Sequence, residues 1–123
     1  MDKQQALDFF WNQYGIPAYN EVKIPKDADI DKGYITYQKL FADFEATVYP
    51  TAAIWTRSDS WEEADRLENL ISETIEGGFT VPVDTGHIQI NKGTPFSEEI
   101  KDETDDLIKG YRITLQVSYL CAH

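Results

Sequence analysis

Residues 60–91 read SWEEADRLENLISETIEGGFTVPVDTGHIQIN and contain the two periodicities that a mixed fold requires. Apolar residues recur at helical spacing in the first part; this stripe consists of Trp61, Ala64, Leu67, Leu70, Ile71 and Ile75. Ser60 followed by Glu63 forms the pattern of a capping box. Gly77-Gly78 supplies residues that tolerate the left-handed conformation at a helix end. We therefore predict a helix from about residue 61 to residue 76.

The second part of this stretch has the alternation of a β-hairpin. Phe79–Val83 and His87–Asn91 flank the turn Asp84-Thr85-Gly86. A further strand near the end of the sequence alternates cleanly, with Tyr111, Ile113, Leu115, Val117 and Tyr119 on one face. Three strands are therefore expected after the helix.

A second helix and a second hairpin are predicted upstream. Residues 2–14 have Asp2 as a cap and an apolar face of Leu7, Phe10, Trp11 and Tyr14, and the helix ends at Gly15. The strands Tyr34–Phe41 and Ala46–Arg57 are expected to pair through a short connection that contains Asp43. Since Pro50 cannot donate a ladder hydrogen bond, it predicts an edge position or a bulge.

The element order α-β-β-α-β-β-β predicts an α+β fold with a mainly antiparallel sheet and two helices packed on one face. The 123 residues suit a single domain, 1–123. Residues 15–33 are expected to be a surface loop. Gly93–Asp106, which holds six acids and one base, is expected to be a long acidic loop.

The net charge of −11 is concentrated rather than uniform, since residues 58–76 hold seven acids and only Arg66 as a base. A protein that neutralises phosphates needs the opposite sign, so we expect no specific nucleic-acid binding. Anionic membrane surfaces are disfavoured for the same reason. The N-terminal residues lack the pattern of a signal peptide, and no apolar run approaches the ~18 residues of a membrane span, so synthesis and retention in the cytoplasm are expected.

The sequence contains none of the motifs that cradle nucleotides, and we expect no enzyme activity, cofactor or metal. Its two histidines, His87 and His123, are far apart, and Cys121 is the only cysteine. Cys121 and a histidine could form a nucleophile pair, and a half-buried strand cysteine is the simpler interpretation. Any acidic chain also contains candidate carboxylate pairs for glycoside chemistry, but nothing in this sequence places a particular pair in a cleft. The acidic residues 98–106 are a candidate site for a hard cation such as Ca²⁺, but they lack the ligand spacing of an EF-hand loop.

An ordered set of short motifs resembles a known group of proteins. The motifs are Ile16-Pro17-Ala18-Tyr19, Tyr34-Ile35-Thr36-Tyr37, Trp55-Thr56-Arg57-Ser58, Gly93-Thr94-Pro95-Phe96, and Asp105-Asp106 before Tyr111-Arg112. Together they resemble the minor structural proteins of long-tailed bacteriophages and prophages, in the tail-terminator or head-to-tail joining (tail completion) group. The resemblance covers nearly the whole chain.

The resemblance implies a virion protein of the tail or neck, assembled in the cytoplasm of the bacterial host. It implies a ring, commonly of six copies, that caps the tail tube and joins it to the head connector. The partners would be further copies of the chain, the tail tube protein and the connector proteins. DNA would pass through the ring without specific binding, and an acidic lumen would let it slide. The resemblance also implies an antiparallel sheet backed by helices. The group offers no catalytic residues.

We hypothesise that an exposed sheet edge or Gly93–Asp106 contacts the neighbouring subunit, and that this loop is mobile until assembly orders it. The acidic end of the central helix is a further candidate for meeting a basic partner surface. The candidate interface residues are Glu73, Glu76, Pro95, Phe96, Glu98, Glu99, Asp102, Glu103, Asp105 and Asp106.

Two alternatives remain open. The first is another neck or head-closure protein of the same kind of virion. The second is a small-ligand-binding α+β domain with an aromatic-lined pocket between the helices and the sheet, which a cavity of several hundred Å³ with convergent polar groups would favour.

Overall fold

A computed structural model describes residues 1–39 and 47–121. This part of the chain forms an α+β fold, which confirms the predicted class. In chain order the elements are α1 (Lys3–Trp11), β1 (Ala18–Asn20), β2 (Tyr34–Tyr37), β3 (Thr51–Arg57), α2 (Glu62–Ile75), β4 (Phe79–Val83), β5 (Gly86–Lys101) and β6 (Ile108–Cys121). Within the described residues, neither helix has the length and apolarity needed to cross a membrane.

The six strands form one mixed sheet in the order β1-β2-β3-β6-β5-β4. The pairing of β1 with β2 is parallel, and the other four neighbouring pairs are antiparallel. Both predicted hairpins are present, as β2–β3 and β4–β5. The connection that contains Asp43 lies outside the described residues.

One face of the sheet and both helices share a single core. On β6, Ile113, Leu115 and Val117 are fully buried, as the alternation predicted. The inward residues of β3 and β5 join them, together with Leu67 and Ile71 of α2 and Leu7 and Phe10 of α1. Each fully buried Leu, Ile or Phe side chain stabilises the fold by about 1.5–3 kcal/mol. The helices therefore cover the inward face, and the opposite face is available for other contacts.

The first helix ends at Trp11, although the prediction extended it to residue 14. The backbone of Asn12, with φ of −92° and ψ of 11°, is no longer helical. Its start is as expected: the Asp2 carboxylate accepts from the Gln5 N–H at 2.8 Å, and the Gln5 side chain accepts from the Asp2 N–H at 2.9 Å. Beyond the helix, Tyr14 remains buried, and Gly15 has the left-handed φ of 81°.

The predicted capping box at Ser60 is wrong. The helix begins one residue later, with Trp61 at the N-cap and no side-chain cap hydrogen bond. Glu63 is therefore in the second helical position rather than the third, which a capping box requires, and its carboxylate accepts from Arg66 at 2.6 Å instead. The predicted stop at Gly77-Gly78 is confirmed by φ values of 77° and 101°.

The third strand differs from its prediction near Pro50. Among the described residues the regular ladder begins at Thr51, and upstream of it Val48 forms an isolated bridge to Val117; residue 46, where the strand was predicted to begin, lies outside the described residues. Pro50 was predicted to occupy an edge position or a bulge, but β3 lies inside the sheet between β2 and β6, and the pairs Val48–Val117 and Thr51–Thr114 keep one register across Pro50. Its carbonyl accepts from the Leu115 N–H at 3.0 Å just before the regular ladder begins, so the missing donor is tolerated.

The predicted loops contain strands. Residues 15–33 include β1, three residues that pair with β2 at the sheet edge. The prediction of a loop over 93–106 is wrong, because β5 continues to Lys101 and only a short turn joins it to β6. Charged side chains had disguised this strand, as is common at sheet edges.

Candidate functional site

The predicted interface residues lie in three places on the structure: the end of α2, the bulge in β5 and the far end of the β5–β6 hairpin. Glu73 and Glu76 lie at the end of α2, where Glu76 accepts from the Lys92 ammonium at 2.8 Å. This contact lowers the pKa of Glu76. The remaining predicted acids lie at the far end of the β5–β6 hairpin; they are Glu98, Glu99, Asp102, Glu103, Asp105 and Asp106.

Two of the hairpin acids hold the turn together. One Asp102 oxygen accepts from the Thr104 N–H at 2.8 Å and from its hydroxyl at 2.6 Å. Asp105 accepts from the Arg57 guanidinium at 2.9 Å, which ties the turn to the end of β3. These contacts lower the pKa of both carboxyl groups. Asp102 and Asp105 therefore have a structural role, whereas Glu98, Glu99, Glu103 and Asp106 are exposed.

The motif Gly93-Thr94-Pro95-Phe96 forms a bulge in β5. Lys92 pairs with Leu115 and Ser97 pairs with Ile113, so these four residues face a single residue of β6, Thr114. Phe96 is half-buried against the core, with the Lys92 ammonium 5.2 Å from its ring centroid. Pro95 is exposed. Of these two predicted interface residues, only Pro95 presents its side chain fully to solvent.

Beyond the bulge, β5 has a strand on only one side. The segment Ser97–Lys101 pairs with β6, but β4 reaches only Gly86–Ile90. Among the described residues, no strand pairs with the other side of this segment, which we call the open edge. Glu98, Glu99 and Lys101 are exposed on it.

On the core side of the open edge, polar contacts connect β5 and β6 to α2. The Ser97 hydroxyl donates to Glu68 at 3.1 Å, and the Tyr111 hydroxyl donates to the Asp65 carboxylate. That hydrogen bond, ahead of burial, raises the pKa of Tyr111 above its usual range. The ring of Trp61 packs edge-on against Tyr111 with centroids 5.7 Å apart. These contacts fix the helix beneath the open edge.

A groove of about 500 Å³ lies on the outward face of β2, β3 and β6, and the sequence did not predict it. Its floor is formed by Thr36, Ala53 and Trp55, and Arg112 borders it. Ile24 and Ile30, from the segment between β1 and β2, form one wall, and Asp102 and Ile108 form another. The alternation of buried Ala52, Ile54 and Thr56 would have placed Trp55 outward, but the walls come from distant segments.

A Cys121–histidine pair and a metal site were also considered from the sequence. Cys121 lies directly opposite Gly86, so His87, one residue on, points to the other face of the sheet. His123 lies outside the described residues. Among those residues, no group of three or more metal-ligating side chains comes together.

The chain was compared with known proteins at the level of families, curated sequences and solved structures. No family model, curated protein or solved structure matches it.

Proposed function

We propose that this chain is a structural subunit of a phage tail or neck, most specifically a tail-terminator ring that caps the tail tube and joins it to the head connector. It would assemble in the host cytoplasm and reside in the virion. The observation that carries this proposal is the open edge Ser97–Lys101, where unpaired backbone groups are presented at the end of a sheet. Such an edge can take an additional strand from another chain.

The charges on the open edge favour a ring over a two-fold dimer. If two open edges paired about an axis between Glu98 and Glu99, Glu98 of each copy would face Glu99 of the other, and like charges repel. A head-to-tail contact avoids this, because each open edge then meets a different surface of the next copy. The opposite end of the sheet, strand β1, offers a second free edge for that contact.

Other features support the same proposal. Four of the five strand pairs are antiparallel and both helices pack into the core on the inward face, which agrees with the fold that the resemblance implies. The exposed acids of α2 and the hairpin turn would repel DNA that passes nearby. This suits a channel in which DNA must slide.

The test is the mass of the chain in solution, alone and mixed with purified tail tubes, by light scattering and co-sedimentation. We expect the wild-type chain to join the tubes as a ring. The double charge reversal Glu98→Lys/Glu99→Lys should lose this association. Asp27→Lys/Asp59→Lys is the matched control, since it makes the same change in net charge at two exposed positions away from the edge. A wild-type chain that stays monomeric and never sediments with tubes would refute the proposal.

Two other functions are distinguished by related observations. A head-closure or other neck protein would bind the purified connector and not the tube. A small-ligand-binding domain is favoured by the outward groove, whose volume lies within the range of roughly 300–1,000 Å³ that is typical of ligand pockets. That pocket lies on the sheet face opposite the helices, not between helices and sheet.

A further inference from the structure

The outward groove includes part of a row of residues that share the outward face of the sheet. Residues directly opposite in neighbouring strands share a face, and this row is Tyr34, Trp55, Gly110 and Ile100, of which Tyr34 and Trp55 line the groove. Gly110 is buried and contributes no side chain to this face. A Cβ at this position would lie 2.1 Å from the Ile54 carbonyl oxygen, so the backbones themselves exclude any larger residue.

The indole N–H of Trp55 already has a hydrogen-bond partner within the sheet. Its indole N–H donates to the Thr36 hydroxyl at 3.0 Å. Trp55 is only partly buried, so its ring offers an apolar surface to the groove and requires no hydrogen bond from a ligand. Together with Ile24 and Ile30, it suits a flat apolar group.

Next to this apolar floor lies the side chain of Arg112, which is exposed. Arg112 lies in the next row, between Ala53 on β3 and Glu98 on β5. Arg57 and Arg66 both pair with carboxylates, but within the described part of the chain the guanidinium of Arg112 has neither an ion pair nor a hydrogen bond. In a chain with twice as many acids as bases, a guanidinium left open beside a groove is a distinctive feature.

Among the described residues, neither acid of the groove forms an ion pair with this arginine. Asp102 is held by Thr104, and one of its oxygens also accepts from the Asp105 N–H at 3.2 Å. Glu21 is exposed at the wall of the groove. With the net charge of −11, these acids would repel a polyanion, whereas the single guanidinium can offset one negative charge on a ligand.

We propose that the outward groove binds a monocarboxylate with a flat apolar body, the carboxylate on Arg112 and the apolar body on Trp55. The guanidinium fork matches a carboxylate with two parallel hydrogen bonds, which a lysine cannot reproduce. The source of this chemistry is either a free small molecule or the C-terminal carboxylate of a peptide. This proposal goes beyond the tail role and does not depend on it.

The test uses three probes that share an indole ring and differ in charge: indole-3-acetate, indole-3-acetamide and tryptamine. Titrations of the full chain are followed by calorimetry and by the amide and indole resonances of Trp55. We expect saturable binding of indole-3-acetate, at least about tenfold tighter than the acetamide, because a hydrogen bond to a charged group is stronger than a neutral one. Tryptamine should bind more weakly still.

Variants assign the contacts. Arg112→Gln should weaken indole-3-acetate about tenfold and leave the acetamide unchanged. Arg66→Gln is the control, because Arg66 lies on α2 and pairs with Glu63. Ala53→Leu fills the floor with a larger side chain and should abolish binding of all three probes. Circular dichroism of each variant checks that it is folded.

Several results would overturn the proposal: no saturable binding, tryptamine binding as tightly as indole-3-acetate, or an Arg112→Gln variant with unchanged affinity for the acetate.

Three further probes identify the source of the carboxylate. A short peptide that ends in a Trp carboxylate is compared with its C-terminal amide and with N-acetyltryptophan. Tighter binding of the peptide acid than of N-acetyltryptophan supports the site with a chain terminus as ligand, and equal binding supports it with a small molecule. Equal binding of the peptide acid and its amide would overturn the role of the carboxylate.

Discussion

Strand β5 consists of two halves with different surroundings. The first, Gly86–Lys92, pairs with β6 on one side and, as far as Ile90, with β4 on the other. The second is the open edge, Ser97–Lys101, with β6 alone. Ile88 and Ile90 are fully buried in the first half, whereas Glu98 and Glu99 are exposed in the second. One strand thus contributes to the core through one half and presents an edge to solvent through the other.

The first half of β5 stabilises the fold, whereas the open edge is available for binding. The first half is fixed by apolar packing, and its sequence alternates as a buried strand should. The open edge carries charges that prevent unspecific strand pairing while leaving backbone groups exposed. If the two halves of β5 differ in this way, the same substitution should change the free energy of unfolding by very different amounts in each half.

The largest effect is expected from truncating isoleucine in each half. Ile90→Ala removes a fully buried side chain and should lower the free energy of unfolding by about 2–5 kcal/mol. Ile100→Ala, in the open edge, removes a partly exposed side chain and should cost only about 1 kcal/mol. Urea-induced unfolding of both variants measures the difference. Equal losses would show that the open edge is part of the stabilising core.

The particular residues also show how far the sequence could predict the structure. The helix 62–75, the hairpin of β4 and β5 and the buried face of β6 were predictable, because each has strong local periodicity. The strand β1 was not, since three residues after Pro17 carry no period and their pairing depends on the distant β2. The open edge was hidden because Ser97–Lys101 carries the charges of an exposed strand.

The candidate sites were predictable to different extents. The predicted acids do gather at the end of the β5–β6 hairpin, but the internal roles of Asp102 and Asp105 depend on contacts with Thr104 and Arg57 that the sequence does not indicate. The groove could not be predicted from the sequence for another reason. Its floor, its walls and Arg112 come from segments brought together only by the tertiary fold.

A smaller effect is expected from the glycines that allow close approach of the backbones. Gly110→Ala would place a Cβ 2.1 Å from the Ile54 carbonyl oxygen and should destabilise the fold by about 1–3 kcal/mol, since β3 and β6 must separate. Gly93→Ala, at the bulge between the two halves, would place a Cβ 2.7 Å from the Thr114 methyl group and 2.8 Å from the Thr114 carbonyl oxygen. It should cost less than Gly110→Ala in thermal unfolding, because its closest backbone approach of 2.8 Å is less severe than the 2.1 Å at Gly110. The reverse order would mean that the bulge, not the β3–β6 contact, holds the open edge in place.

The smallest effect is a pH dependence confined to the open edge. The pKa of Asp105 is lowered, first by its hydrogen bond from Arg57, and that of Asp102 is lowered first by the Thr104 hydroxyl. A carboxyl group whose pKa is lower in the folded state stabilises that state above its unfolded pKa, and this contribution is lost as the pH falls through the folded pKa. Below about pH 4 the amides of Ser97–Lys101 should therefore lose protection from hydrogen exchange, after correction for intrinsic rates, before those of Gly86–Lys92. In Asp105→Asn, which cannot ionise, the open edge should be less protected at pH 7 and should change less between pH 7 and pH 3. If both halves lose protection together in the wild-type chain, the turn does not stabilise the open edge independently, and the two halves of β5 behave as one unit.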